Sequence, residues 1–211
     1  RSRPTISILT LVTGRDATEY GLDSDNRNRW SKTEDEMTLQ GKDIAILVDE
    51  GFEDLEFWVP LMRLQETGAR ATVVGVEAGK RVSSKSGGLK AVSEVAARDV
   101  TPERFAAVVV PGGWAPDKLR RDPGVVELVR KIYEQGKVVA MICHAGLVGI
   151  SAGIVKGHRA TGSLGIKDDL INAGATWVDE AAFRDGNLVW GRVVPDIPAF
   201  CRELMAALRE E

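Results

Sequence analysis

The 211-residue chain carries 28 Lys and Arg against 31 Asp and Glu, a formal net charge of −3, with 44% apolar and 28% charged residues. That balance argues against a nucleic-acid surface, and no run approaches the ~18 apolar residues of a membrane span. Two cysteines, Cys143 and Cys201, exclude a disulfide framework and fit a reducing, cytoplasmic setting.

Residues 1–36 differ from the rest. A short apolar run, Ile6 to Val12, is broken by Ser7 and Thr10 and lacks a small-residue cleavage site, which argues against a secretory signal. Thr13 to Glu36 is polar with little periodicity. The expectation is a flexible leader or appendage over 1–36 and one α/β domain over 37–211. Asp43 to Val48 reads as a buried strand. Five carboxylates follow within eight positions: Asp49, Glu50, Glu53, Asp54 and Glu56. Pro60 is expected in the first turn of the next helix, which runs to Gly68. Thr72 to Val76 is a second strand. Arg81 to Glu94, with Gly87-Gly88 at its turn, predicts a hairpin or excursion at the sheet edge. Thr101-Pro102-Glu103 opens a helical turn, and Ala106 to Val110 is a third buried strand. It ends in Pro111-Gly112-Gly113-Trp114-Ala115-Pro116-Asp117. Gly124 to Gln135 is helical.

Val138 to Ile142 is a fourth apolar run and stops abruptly at Cys143-His144. The small and apolar residues from Ala145 to Ser151 predict a helix, so Cys143 sits at a tight strand-to-helix turn, the logic of a nucleophile elbow with Cys in place of Ser. A helix N-terminus favours thiolate over thiol. Strands at Arg159 to Thr161, Thr176 to Val178 and Leu188 to Arg192 and a helix from Ile166 to Ala173 follow, with a turn at Arg184 to Asn187. Asp196 caps a last helix to about Arg209, whose Ile197, Phe200, Cys201, Leu204 and Leu208 share a core face.

Alternating strands and helices predict a parallel α/β sheet, with ligands bound beyond the strand carboxyl ends. Three segments lie at such ends: the acidic loop, Pro111-Gly112-Gly113 and Cys143-His144. If their strands are neighbours, they meet in one pocket. There Cys143 is the candidate nucleophile. A protonated carboxyl from Glu53 or Glu56 could donate to its sulfur. Gly112, Gly113 and His144 offer backbone N–H groups for an oxyanion hole, and His144 could serve as a general base. No cofactor or metal motif stands out. The competing reading of the acidic loop is a solvated capping cluster, and that of Pro-Gly-Gly is a plain turn.

Together these residues resemble the PfpI family of intracellular cysteine peptidases and general stress proteins, in the class I glutamine amidotransferase-like superfamily. The resemblance runs from about Gly41 to Leu208 and rests on Asp49 to Glu56, Val110 to Arg120, Ala140 to His144, Ile150 to Gly153, Gly165 to Asp169, Asn172 to Gly174 and Trp177 to Asp179. It implies a flavodoxin-like three-layer sandwich with a mostly parallel central sheet. It implies Cys143 as nucleophile, Glu56 hydrogen-bonded to the thiol with Glu53 nearby, and an oxyanion hole of the Gly113 and His144 N–H groups. It further implies a homo-oligomer, a dimer or higher, in which Asp117 of a neighbouring subunit orients His144; Trp114 and Pro116 would be apolar interface contacts. The implied activity is hydrolysis or hydration at carbonyl carbon, on peptides, dicarbonyls or glycated amines. Where the family's elbow reads Cys-His-Gly-Pro, this chain has Cys143-His144-Ala145-Gly146, and Ser163 and Asp117 stand where many members carry Tyr and Glu. Two other readings remain at this stage. One is a non-catalytic stress protein or chaperone whose Cys143 is an oxidisable sensor. The other is an amidotransferase glutaminase, disfavoured because no His-x-Glu pair follows the cysteine.

Overall fold

The computed structural model describes residues 39–210, so the expected leader at 1–36 and the start at Met37 lie outside the described residues. The strands with the most continuous apolar runs form the middle of one sheet: β1 (Asp43–Leu47), β2 (Arg70–Gly75), β6 (Ala107–Val110) and β7 (Val138–Ile142). Both faces of these strands are covered, which is why they read as unbroken rather than alternating. β5 (Val95–Ala96), β10 (Ala182–Asp185) and β11 (Leu188–Gly191) complete the order β10-β11-β7-β6-β1-β2-β5. Every pairing is parallel except that of β10 with β11.

Helices cover both faces. α1 (Asp54–Glu66) and the C-terminal α6 (Ile197–Arg209) pack together on one side. α2 (Ala115–Leu119), α3 (Pro123–Glu134), α4 (Gly146–Ala152) and α5 (Lys167–Asn172) form the other layer. This is the three-layer sandwich that the resemblance implied. Ile197, Phe200, Cys201, Leu204 and Leu208 are all buried on α6, as their spacing predicts.

Three local expectations need correction. Pro60 is not in the first turn of α1 but inside it, because the helix starts six residues earlier, at Asp54. Glu53 is the N-cap: its carboxylate accepts the N–H of Glu56, at 2.8 Å. The Arg81 to Glu94 segment does form a hairpin, β3 (Arg81–Ser83) with β4 (Lys90–Val92), but as a separate two-stranded sheet; the strand at the main sheet's edge is β5. Asp196 occupies the N-cap of α6 without capping it, since its carboxylate accepts from Arg192 Nε at 2.9 Å. A short parallel pair, β8 (Arg159–Ala160) with β9 (Thr176–Trp177), lies outside the main sheet.

The order places the site. The chain steps from β1 outward to β2, then returns to the other side of β1 as β6, so the topology switches between β1 and β6. β7 is next to β6. The acidic segment, Pro111-Gly112-Gly113 and Cys143-His144 therefore leave the carboxyl ends of three adjacent strands, as a doubly wound sheet requires of a binding crevice.

Candidate active site

Cys143 follows β7 directly and begins a single 3-10 turn, Cys143–Ala145, which leads into α4. Its φ is 62°, the one positive value at a non-glycine residue among the described residues. Holding a side chain there costs of order 1–3 kcal/mol, strain that the surroundings must impose. They do so on both sides. The Cys143 carbonyl accepts the N–H of Ser163 at 3.0 Å, an approach open because residue 162 is glycine: a Cβ there would stand 2.6 Å from that carbonyl oxygen. Below the turn, a Cβ on Gly149 would stand 2.7 Å from Met141 Sδ, and one on Gly146 3.0 Å from the Ile166 side chain. The small residues of α4 thus let the helix close onto β7 and fix the elbow.

Glu56 approaches from α1. It is fully buried. One carboxyl oxygen, Oε2, accepts the N–H of Gly112 at 2.9 Å. The other, Oε1, is buried without a hydrogen-bonding nitrogen or oxygen. The carboxyl lies beside the Cys143 thiol, and each group shifts the other's pKa. Gly112 separates the two: a Cβ there would sit 2.5 Å from Glu56 Oε2, 2.7 Å from Cys143 Cβ and 2.9 Å from His144 N. Gly112 therefore does not offer the free N–H expected of an oxyanion hole, because Glu56 occupies it. The N–H groups of Gly113 and His144 lie near the Cys143 sulfur and favour its thiolate.

Burial and the Glu53 carboxylate push Glu56 up to about 7. Burial, the Glu56 carboxylate and the hydrogen bond to it push Cys143 up to about 12, against the pull of the Gly113 and His144 N–H groups. The resting thiol is thus not acidified by its helix, as the elbow alone suggests. Instead the pair holds one proton between about pH 7 and 12 and titrates as a unit. Within that window the proton lies on sulfur, with Glu56 as a carboxylate beside it, or on Glu56, with a thiolate facing two N–H groups.

His144 is half-buried, with Nδ1 3.2 Å from Cys143 Sγ. Burial, then the charge of Lys85, lowers its pKa, so the ring is neutral at pH 7. Asp117 is not brought to His144 within one chain. It lies on α2, more than half exposed, and pairs with Arg121. Of its neighbours, Trp114 is exposed, but Pro116 is buried inside its own chain and cannot be the interface contact expected of it. Glu53 serves as cap and negative neighbour of Glu56.

Lys85 was not anticipated. It lies just past β3, its N–H donates to Phe52 O at 2.7 Å, and its Nζ sits 5.7 Å from the centroid of the Trp114 ring. Its charge reaches both Glu56 and His144. Among the described residues no helix is long and apolar enough to cross a membrane.

Known proteins resemble this chain in sequence and in fold. The chain is 39% identical over 166 residues to Deglycase PfpI of Pyrococcus furiosus, covering 79% of this chain and 99% of that protein. It is 37% identical over 171 residues to General stress protein 18 of Bacillus subtilis, covering 81% and 99%. Among solved structures, a two-domain protein from Anabaena variabilis with DJ-1/ThiJ/PfpI-like and ferritin-like domains superposes with a TM-score of 0.78 at 38% identity, over 79% of this chain and half of that one. Drosophila melanogaster DJ-1beta superposes at 0.74 with 25% identity, over 81% and 91%. With the DJ-1/PfpI family model matching residues 42–207, the chain belongs to the DJ-1/PfpI family.

Proposed function

We propose that the protein is a cysteine-dependent hydrolase of the PfpI type that acts at carbonyl carbon, on small carbonyl compounds, glycated amines or peptides, inside the cell. The observation that carries this reading is the buried Glu56 carboxyl beside a thiol on a strained elbow, with the Gly113 and His144 N–H groups near enough to favour its thiolate. Sγ attacks the carbonyl carbon, and its proton passes to Glu56, whose pKa of about 7 suits a general base near neutrality. The carbonyl π electrons move onto oxygen. The Gly113 and His144 N–H groups, which faced the negative sulfur, then stabilise that oxyanion. On a peptide, the proton held by Glu56 or relayed through His144 goes to the leaving amine, and water hydrolyses the acyl thioester to acid and free thiol. On a dicarbonyl, the hemithioacetal carbon loses its proton and the neighbouring carbonyl carbon gains one, and water hydrolyses the resulting 2-hydroxy thioester.

The active unit in this reading is a homo-oligomer in which the partner's Asp117 approaches His144. Leu55, Val59 and Met62 support association: they lie at i, i+4 and i+7 on α1 and are 49%, 39% and 59% exposed. The experiment is turnover of methylglyoxal and of a panel of fluorogenic peptides by the wild type and by Cys143→Ala. Activity should rise with pH through about 7 and vanish in the variant. Absence of turnover in the wild type, together with a peroxide-induced mass gain at Cys143, would instead favour the redox-sensing role.

A further inference from the structure

The hairpin β3–β4 folds over the carboxyl end of the sheet and takes part in the site. Phe52 is the junction: its backbone bridges to Ser84 on one side and Gly113 on the other. That junction puts Lys85, next to Ser84, beside Trp114, next to Gly113. Trp114 is fixed against Gly51, whose carbonyl accepts the Trp114 backbone N–H at 2.8 Å and on which a Cβ would stand 3.1 Å from Trp114 Cβ. Trp114 is 60% exposed, a flat apolar face at the rim.

Glu56, which feels the Lys85 charge, is buried with one oxygen on the Gly112 N–H, and the carboxylates of the acidic segment have other partners. Asp49 pairs with Lys80 Nζ at 2.8 Å, Glu50 accepts from Ser83 N at 2.9 Å, Asp54 accepts from Ser86 Oγ at 2.7 Å, and Glu53 caps α1. Among the described residues no carboxylate lies within ion-pair distance of Lys85. A cation over an aromatic face near the nucleophile, without a counterion among the described residues, is a ready anion site.

We propose that Lys85, seated on Trp114, binds the carboxylate of the substrate, so that the site selects carbonyl compounds carrying one negative charge over neutral ones. A monoanion fits better than a phosphate dianion, since a single lysine faces the ligand and the Asp54 carboxylate is bonded to the adjacent Ser86. This deepens the hydrolase reading and rests on it for the placement of the carbonyl at Cys143.

The test does not require turnover. Alkylation of Cys143 is followed by mass spectrometry with iodoacetate and with iodoacetamide, in low salt, for the wild type, Lys85→Gln, Lys85→Glu and Lys85→Arg. The ratio of the two rates cancels any general change in thiol reactivity and reads local charge. Lys85→Gln should lower the iodoacetate-to-iodoacetamide ratio by about fivefold to tenfold, Lys85→Glu further, and Lys85→Arg should restore it. In parallel, lactate and lactamide are titrated calorimetrically into Cys143→Ala and into Cys143→Ala/Lys85→Gln. Lactate should bind the single variant and lose its advantage over lactamide in the double one. An unchanged alkylation ratio, or equal binding of the two ligands by Cys143→Ala, overturns the carboxylate site. Failure of the wild type to turn over any carbonyl substrate while charge selection persists overturns the hydrolase reading alone.

Discussion

Glu56→Gln is the substitution from which the site's energetics can be read. Gln matches Glu in size and keeps an oxygen to accept the Gly112 N–H. What it removes is the buried charge. In the unfolded chain the Glu56 carboxyl ionises near 4.5; in the fold it holds its proton to about 7. A raised carboxyl pKa means that its contribution to stability is full below about 4.5 and is lost as pH climbs through about 7. At about 1.36 kcal/mol per pH unit, the ionised fold at pH 8 is weaker by about 3 kcal/mol on this account. For a chain of this size that corresponds to roughly 6–12 °C in melting temperature. The assay is thermal unfolding of the wild type and Glu56→Gln from pH 4.5 to 8.5. The wild type should lose stability across that range relative to the variant, and the variant should melt higher at pH 8 while turning over about 10²–10⁴-fold more slowly. Parallel curves for the two proteins would refute the claim that a carboxylate is forced to ionise beside the thiol.

Three other outcomes follow from the geometry. Gly112→Ala places a methyl against the Glu56 carboxyl, Cys143 Cβ and the His144 nitrogen, so differential scanning calorimetry should show a loss of about 1–3 kcal/mol and the assay almost no turnover. Cys143→Ala and Asp117→Ala, dissociated and reassembled together, should regain activity above either parent if Asp117 acts on the partner's His144; confirmed reassembly without a gain would contradict that arrangement. Away from the site, Tyr133 Oη, His158 and Asp185 form a hydrogen-bonded chain with 2.8 Å links. Burial raises the Asp185 pKa, but the His158 and Arg159 hydrogen bonds outweigh it and lower it overall. Its contribution to stability is therefore full above about 3.8 and is lost below it, as pH falls through the lowered folded pKa. Asp185→Asn should melt lower than wild type near neutral pH and less so in acid, with kcat/KM unchanged.

The sheet was legible wherever burial was complete. Val138 to Ile142 and Ala107 to Val110 carry no polar residue because both their faces are covered, and Gly146 and Gly149 of α4 allow the close packing under Cys143. The start of α1 was misplaced because two start signals compete there. Pro60 suits a first turn, but the Glu53 carboxylate caps a helix that begins earlier, and that hydrogen bond prevails. Gly112 and Gly113 were recognisable as a bare backbone pair, yet the destination of each N–H was not. It depends on Glu56, 56 residues away in sequence, whose side chain reaches the first and leaves the second for the sulfur. Lys85 looked like any hairpin lysine. Its place beside the pocket comes from the two bridges of Phe52, a junction of distant segments that no local pattern encodes.

The central claim is that Cys143 attacks carbonyl carbon, and rapid-quench mass spectrometry with an activated ester tests it most directly. Cys201 is the internal control, since it is buried on the core face of α6. The account predicts a burst in which the intact mass rises by one acyl group, peptide mapping places the group on Cys143 and not on Cys201, and Cys143→Ala shows neither adduct nor turnover. Turnover that survives Cys143→Ala, or an acyl group found elsewhere in the chain, would contradict it.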